Sequence, residues 1–105
     1  MSDQKLLELA AKAAGIGPVL CYEAMRNCLR IGTRESYKIW FPLTGSDHAM
    51  SLAVKLGICI VFFEERDKVA AEQSRLRAIA FESLDAAGTR RAIVRVAAEI
   101  GEAMP

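Results

Sequence analysis

Three arginines near the end of the chain are the residues best suited to bind a charged ligand. Arg90, Arg91 and Arg95 lie in the segment "GTRRAIVR". If a helix begins immediately before them, its free backbone N–H groups and the guanidinium groups together favour phosphate or carboxylate. Trp40 offers a flat surface for stacking, so these four residues predict a site for a small anionic ligand. If the helix begins nearer Asp85, Arg90 and Arg91 lie further inside it and pair with acidic neighbours, as surface arginines commonly do.

A second basic group recurs at every fourth position, and it comprises Arg26, Arg30, Arg34 and Lys38. Because alternate residues of an extended chain share a face, these cations and the interleaved aromatic residues predict a surface for nucleic acid. Glu23 and Glu35 dilute this charge, and a turn at Gly32 would divide the face. The chain has 14 basic and 13 acidic side chains, a net charge of +1, which gives no general attraction to nucleic acid. A solvated sheet face is the alternative.

The only histidine, His48, follows Asp47 and lies close to Trp40 in the sequence. Histidine is an acid–base group near neutral pH, and an adjacent carboxylate can orient it. Neighbouring residues on a helix, however, point about 100° apart, and the spacing links no serine or cysteine nucleophile to them. We therefore expect Thr44, Ser46 or Asp47 to cap a helix and His48 to be solvated in its first turn. The sequence predicts no catalytic residue and no enzyme.

The three cysteines, Cys21, Cys28 and Cys59, show neither a paired metal-ligand spacing nor an even disulfide framework. No P-loop, H-E-x-x-H or C-x-x-C motif occurs, so we expect no metal and no cofactor. Cys59 lies within "ICIVFF" and is predicted to be a buried structural thiol. No apolar run approaches the roughly 20 residues that span a bilayer, and the N-terminus lacks the basic region of a signal peptide. A reduced, cytoplasmic location without membrane contact is the expectation.

The length of 105 residues predicts one domain over residues 1–105, and 52% of those residues are hydrophobic. Because a chain this short buries only about two thirds of its surface, part of this apolar excess should stay outside. We therefore expect a homo-oligomer that covers it. No linker, low-complexity tract or internal repeat is evident in the sequence.

The elements that position these residues follow from the spacing of apolar side chains. A period of 3.6 predicts helices over residues 3–14, 47–56 and from about Asp85 or Thr89 to Ile100, with Gly15, Gly57 and Gly101 just past their ends. Ile58 to Glu65 is apolar on both faces, as in a central strand that is covered twice. Leu76 to Glu82 is a partner strand, whereas residues 19–39 and 66–75 are ambiguous. The prediction is an α/β (α+β) α-β-α sandwich, with three helices around a small, mostly antiparallel sheet.

Three segments also resemble a known family, the phage α-β-α sandwich domain of small bacteriophage and prophage proteins. "WFPLTGSDHAMSLAVKLGI" is similar to that family's W-x-P-L, acidic turn and D-x-A-x-x-L-A-V-K-L element. "GTRRAIVRVAAEIGEAMP" resembles its A-T-R-R-A-I-V-R-A-A-A-E-I-G ending, and the opening "LLELAAKAAGI" fits as well. The resemblance covers a little under half of the chain, and it implies the sandwich fold but no established activity. Phe41 stands where Asn or Asp is usual, and His48 interrupts a stretch usually written Gly-Asp-Ala.

The resulting prediction is a phage- or prophage-derived protein that acts by binding in the cytoplasm of a bacterial host cell. The expected target is a host protein, such as a defence component that is inhibited or sequestered, or a small anionic ligand held by Arg90, Arg91, Arg95 and Trp40. The alternative is a nucleic-acid-binding phage accessory protein that uses Arg26, Arg30, Arg34 and Lys38. A small hydrolase centred on His48 is the third hypothesis.

Overall fold

Three helices alternate with two groups of three strands in the computed structural model, which describes all residues 1–105. The elements are α1 (Asp3–Ala14), β1 (Val19–Glu23), β2 (Cys28–Gly32), β3 (Tyr37–Trp40), α2 (Ser46–Leu56), β4 (Cys59–Phe63), a 3₁₀ turn (Glu64–Arg66), β5 (Lys68–Gln73), β6 (Ala78–Ser83) and α3 (Ala86–Ala103). The predicted α+β domain with three helices and antiparallel strands is confirmed. The strands form two sheets where one was expected.

Each sheet is a three-stranded antiparallel meander, with strand order β1-β2-β3 in the first sheet and β4-β5-β6 in the second. A helix precedes each of them, so the order helix–strand–strand–strand occurs twice before α3 closes the fold. The first hairpin of each sheet turns through a left-handed residue, Asn27 with φ 49° and Asp67 with φ 54°. The structure thus repeats an element order and a turn conformation without a repeat in the sequence.

The strand β4 differs most from its prediction. It is an edge strand, since it has a hydrogen-bonded neighbour, β5, on one side only. Phe62 pairs with the buried Val69 and lies on the face towards the helices, whereas Val61 and Phe63 lie on the outward face. No helix covers that outward face, so the prediction of a central strand covered twice is wrong. Cys59 is consequently exposed, and its prediction as a buried thiol is also wrong.

The ends of the first two helices show which capping predictions hold. Ser2 Oγ accepts a hydrogen bond from Lys5 N at 3.1 Å, and Gly15 and Gly57 adopt the left-handed conformation expected just past a helix, with φ 69° and φ 67°. At the start of α2 the cap is Gly45 without any side-chain bond. The prediction that Thr44, Ser46 or Asp47 caps it is wrong, because the Phe41 ring lies so close to Gly45 that it leaves no room for a Cβ.

The helix α3 is the centre of the core. Its N-cap is Asp85, whose carboxylate accepts from Gly88 N, so Arg90 and Arg91 lie in the second turn. Gly101 does not end α3, which continues to Ala103; glycine is needed there because a Cβ would collide with the carbonyl oxygen of Leu9 on α1. The pairs Asp3–Arg91 and Lys12–Met104 join equivalent ends of α1 and α3. These two helices therefore run parallel.

A single contiguous core of 22 buried residues joins the three helices to the inward faces of both sheets. The second sheet contributes Val69, Ala71, Ala78 and Ala80, which face α3, and the first sheet contributes Leu29. Small residues on these strands allow α3 to approach closely. The core thus holds the inward side of each sheet and leaves both outward sides to solvent.

Candidate functional site

Arg91 and Arg95 lie one turn apart on α3, and each pairs with a carboxylate of the same chain. Arg91 Nη2 donates to Asp3 Oδ1 at 2.7 Å, and Arg95 Nη1 donates to Glu82 Oε2 at 2.6 Å. The hydrogen bond from Arg91 holds the pKa of Asp3 below its usual value, although burial opposes this shift. The same bond raises the pKa of Arg91. Both guanidinium groups are therefore already neutralised by fixed anions.

Arg91 and Arg95 also line a cleft of about 460 Å³ between α3 and β6. Three glutamates share its wall, namely Glu82, Glu99 and Glu102. Since three carboxylates face two guanidinium groups, the electrostatic balance of this cleft does not favour an anion.

Arg90 points away from this cleft and joins α3 to the first residue of α2 and to the segment before it. Its Nε donates to the Leu43 carbonyl oxygen at 3.0 Å, and its Nη1 donates to Ser46 Oγ at 3.1 Å. Trp40 is half-buried on β3, where it pairs with Leu29 and packs against the core. It lines neither of the clefts formed by the arginines. The structure does not bring Arg90, Arg91, Arg95 and Trp40 into one site.

The basic residues of the first sheet divide into a paired and an unpaired group. Arg26 and Arg30 both bind Glu23, at 2.7 Å and 2.9 Å between their Nη2 atoms and Oε2. The Arg26 hydrogen bond is the main cause that lowers the pKa of Glu23 to about 2; burial opposes it, and Arg30 adds to it. The Arg30 guanidinium also lies 5.2 Å from the centre of the Tyr37 ring, a cation–π distance.

Arg34 and Lys38 are exposed and form no ion pair. Arg34 lies in the turn between β2 and β3. Lys38 pairs with Ile31, whereas Arg30 pairs with the adjacent Ile39, so Lys38 and Arg30 point to opposite faces of the sheet. The four cations predicted to form one nucleic-acid surface are thus separated by the turn and by the alternation of the strands.

His48 has a structural contact at the start of α2. Its Nδ1 accepts a hydrogen bond from Phe41 N at 3.0 Å, and the two rings lie 4.1 Å apart between centroids. His48 is half-buried, so the prediction that it is solvated is wrong, because Phe41 covers it. Phe41 and His48 are also the two positions that depart from the resembled family pattern, and here they form one contact. No group of three or more His, Cys, Asp or Glu side chains is placed to hold a metal ion.

A groove that the sequence did not indicate lies between α2, the start of α3 and the edge strand β4. We call it the α2–α3 groove; it has a volume of about 330 Å³, and its apolar lining is formed by Ala49, Met50, Phe62, Leu84, Ala86 and Ile93. Met50 is 53% exposed and Phe62 is 58% exposed. The polar groups at its rim bind each other, as Arg90 does with Ser46. One signal was present: Met50 widens the apolar stripe of α2 beyond what one packing partner needs.

The outward face of the second sheet is a further surface that sequence reasoning missed. Cross-strand pairing places Val61, Ala70 and Phe81 in one row across β4, β5 and β6. Phe63 and Phe81 extend this apolar area, with ring centres 6.4 Å apart. Phe81 is 51% exposed. Since aliphatic and aromatic side chains meet here without a covering element, the face is suited to contact another surface.

Comparison of the chain with protein-family models, with curated proteins and with solved structures finds no match in any of the three. The resemblance to the phage sandwich family therefore stays a prediction. None of the three helices combines the length and apolar character that crossing a membrane requires.

Proposed function

We propose that the protein acts by binding another protein, which inserts apolar side chains into the α2–α3 groove. The observation that carries this proposal is the groove itself, in which Met50 and Phe62 are both more than half exposed beside a buried floor that includes Ile93. Methionine and aromatic residues are enriched at protein interfaces, and truncating such anchors usually has the largest effect on affinity. Val54, one turn after Met50 on α2, extends the exposed apolar surface.

The polar groups of the groove favour a protein partner over a polar small molecule. A small-molecule site usually offers a few convergent and unpaired polar groups that orient its ligand. Here Arg90 donates to Ser46 Oγ and the Leu43 carbonyl, and Thr89 Oγ1 donates to the Asp85 carbonyl at 2.8 Å. The rim therefore has few free groups for recognition, and affinity would come from the apolar contact.

The resemblance to phage proteins suggests the form that this binding takes. The partner would be a bacterial host protein, for example a defence component, that the protein inhibits or sequesters in the host cytoplasm. This role needs no catalytic residue. A small anionic ligand is less well supported, because Arg91 and Arg95 each pair with a carboxylate.

Capture from bacterial cells that express a tagged chain tests the proposal, with Phe62→Thr and Phe81→Thr as a matched pair. These phenylalanines have similar exposure, 58% and 51%, but lie on opposite faces of the second sheet, and threonine keeps a high strand propensity. We expect the wild type and Phe81→Thr to retain the same host protein, identified by mass spectrometry. Phe62→Thr should retain at least about tenfold less of it, which corresponds to the loss of one apolar anchor.

Equal retention by Phe62→Thr and the wild type would refute the groove as the contact. Retention of DNA or RNA that weakens steeply with salt and is lost in the double variant of Arg34→Ala and Lys38→Ala would favour the nucleic-acid alternative instead. These two cations serve as the probe because neither is engaged in an ion pair.

A further inference from the structure

The outward face of the second sheet has a regular chemical pattern that goes beyond the groove. Pairing in the two hairpins arranges the face in three rows: Cys59–Glu72–Ile79, Val61–Ala70–Phe81 and Phe63–Lys68–Ser83. The middle row is entirely apolar, and Ala70 at its centre is only 3% exposed. A flat apolar row of this kind packs well against a second sheet, as in sheet-on-sheet interfaces.

Two opposite charges flank the apolar centre on the middle strand. Lys68 precedes Ala70 by two residues and Glu72 follows it by two, so all three side chains point outward. Both charged residues are exposed, and neither takes part in an ion pair or side-chain hydrogen bond of the chain. The middle strand thus presents a plus–apolar–minus order with unsatisfied charges at both ends.

This order is complementary to itself under one of the two twofold rotations that keep the strands of the two copies aligned. An axis in the plane of the contact and perpendicular to the strands reverses the strand direction, so Lys68 of one copy lies over Glu72 of the other, twice. An axis along the strands would place Lys68 over Lys68, which is repulsive. We propose that a second copy of this chain covers the outward face of the second sheet, with the two β5 strands antiparallel around Ala70.

The size of the face predicts how strong this dimer is. Three strands roughly 4.8 Å apart and five residues of about 3.3 Å each give a flat area of roughly 14 by 17 Å. This is about a third of the roughly 800 Å² that each partner buries in a standard interface. The contact therefore forms a dimer that dissociates on dilution, and the Lys68–Glu72 pairs act mainly by selecting orientation.

Sedimentation velocity over a wide concentration range tests the dimer, with the variants Lys68→Glu and Glu72→Lys. Each variant places like charges opposite each other twice, so we expect each to weaken self-association at least about tenfold. An equimolar mixture of the two should dimerise again, because the acidic residues at positions 68 and 72 of one copy then face the basic residues at positions 72 and 68 of the other. The double variant with both substitutions should dimerise as the wild type does.

Arg66→Glu and Glu65→Lys provide a matched control, because they reverse exposed charges in the 3₁₀ turn outside the face. They should leave self-association unchanged. A wild type that stays monomeric at all concentrations would overturn the proposal. A dimer that survives Phe81→Thr, or one that the mixture fails to restore, would place the interface elsewhere and also overturn it. Phe62→Thr should dimerise normally, so failure of the groove proposal and failure of this one are distinguishable.

Discussion

The two sheets share a topology but differ in the chemistry of their outward faces. At the centre of the middle strand, the first sheet has Arg30 and the second has Ala70; at the end of the first strand, the first sheet has Glu23 and the second has Phe63. In the first sheet these side chains bind each other, since Arg30 donates to Glu23. In the second sheet they form an open apolar row. The meander is therefore specified by inward residues and turns, and the outward face is free to acquire a separate role.

The outward faces of the two sheets also differ in how much they gain from contact with another surface. The outward side of the first sheet has its central charges paired within the chain, because Glu23 binds both Arg26 and Arg30. The outward side of the second sheet exposes apolar area that is stabilised only when another surface covers it. The centre of the outward face is therefore an ion pair in the first sheet and an apolar row in the second, and the apolar row gains more from a partner.

The largest effect is expected from Leu29→Ala, which tests whether the first sheet shares the common core. Leu29 is fully buried and belongs to the same cluster as the helices. Loss of its side chain should lower the free energy of unfolding by about 2–5 kcal/mol. Chemical denaturation followed by Trp40 fluorescence and by far-UV circular dichroism should show both transitions shifting together. Ile39→Ala, on the outward face of β3, is the control with a smaller effect.

A shift of the fluorescence transition alone would show that the first sheet unfolds independently. In that case the two sheets would belong to separately unfolding units, and they would not be parts of one cooperative domain.

An intermediate effect is expected from Ala70→Arg, which gives the second sheet the central residue of the first. The guanidinium group would stand between Val61 and Phe81, and in the dimer it would face the same group of the other copy across the twofold axis. Self-association should weaken at least about tenfold, because two like charges would be brought together in the contact. Stability of the monomer should fall by only about 1 kcal/mol. Sedimentation velocity and thermal melting measure the two effects.

Arg30→Ala is the reciprocal control and should leave self-association unaltered. Unchanged dimerisation of Ala70→Arg would contradict the proposed interface, whatever its melting temperature.

The smallest effect at neutral pH is expected from Glu23→Gln. The pKa of Glu23 is lowered from 4.5 to about 2 in the folded chain, chiefly by the hydrogen bond from Arg26. Because the folded pKa lies below the unfolded one, ionised Glu23 stabilises the fold above about pH 4.5, and this contribution is lost as the pH falls towards 2. The wild type should therefore lose melting temperature between pH 4.5 and 2 more steeply than Glu23→Gln. Parallel curves for the two proteins would show that the ion pairs of the first sheet contribute nothing to stability.

The helices were predictable from the sequence, and the placement of the strands was not. The periodic apolar residues and the glycines after α1 and α2 define those helices locally, so the predicted ranges agree with the structure within one residue. The strand β4 was misassigned because a run that is apolar on both faces is typical of burial, whereas here Val61 and Phe63 stay open. No local pattern distinguishes a covered face from an uncovered one. Gly101 was misassigned for a similar reason, since its role depends on α1, which is remote in sequence.

The candidate sites, like the strands, depend on contacts between residues that are remote in sequence. Arg91 and Arg95 were identified as binding residues from their positions on one helix, but their partners Asp3 and Glu82 come from other elements. Whether a charge is free or paired depends on long-range contacts that spacing does not reveal. The α2–α3 groove was not predictable from local patterns, because it forms only where Phe62 meets side chains of two helices.

The parallel packing of α1 against α3 has a consequence for how the chain is made. The apolar face of α1, which includes Leu6, Leu7 and Ala10, is buried against a helix that the ribosome synthesises after both sheets. Until residues 86–103 have left the exit tunnel, that face lacks its main partner, although α1 emerged earlier. The nascent chain therefore exposes the apolar face of α1 until α3 has been synthesised, which makes α1 well placed for transient capture by a chaperone.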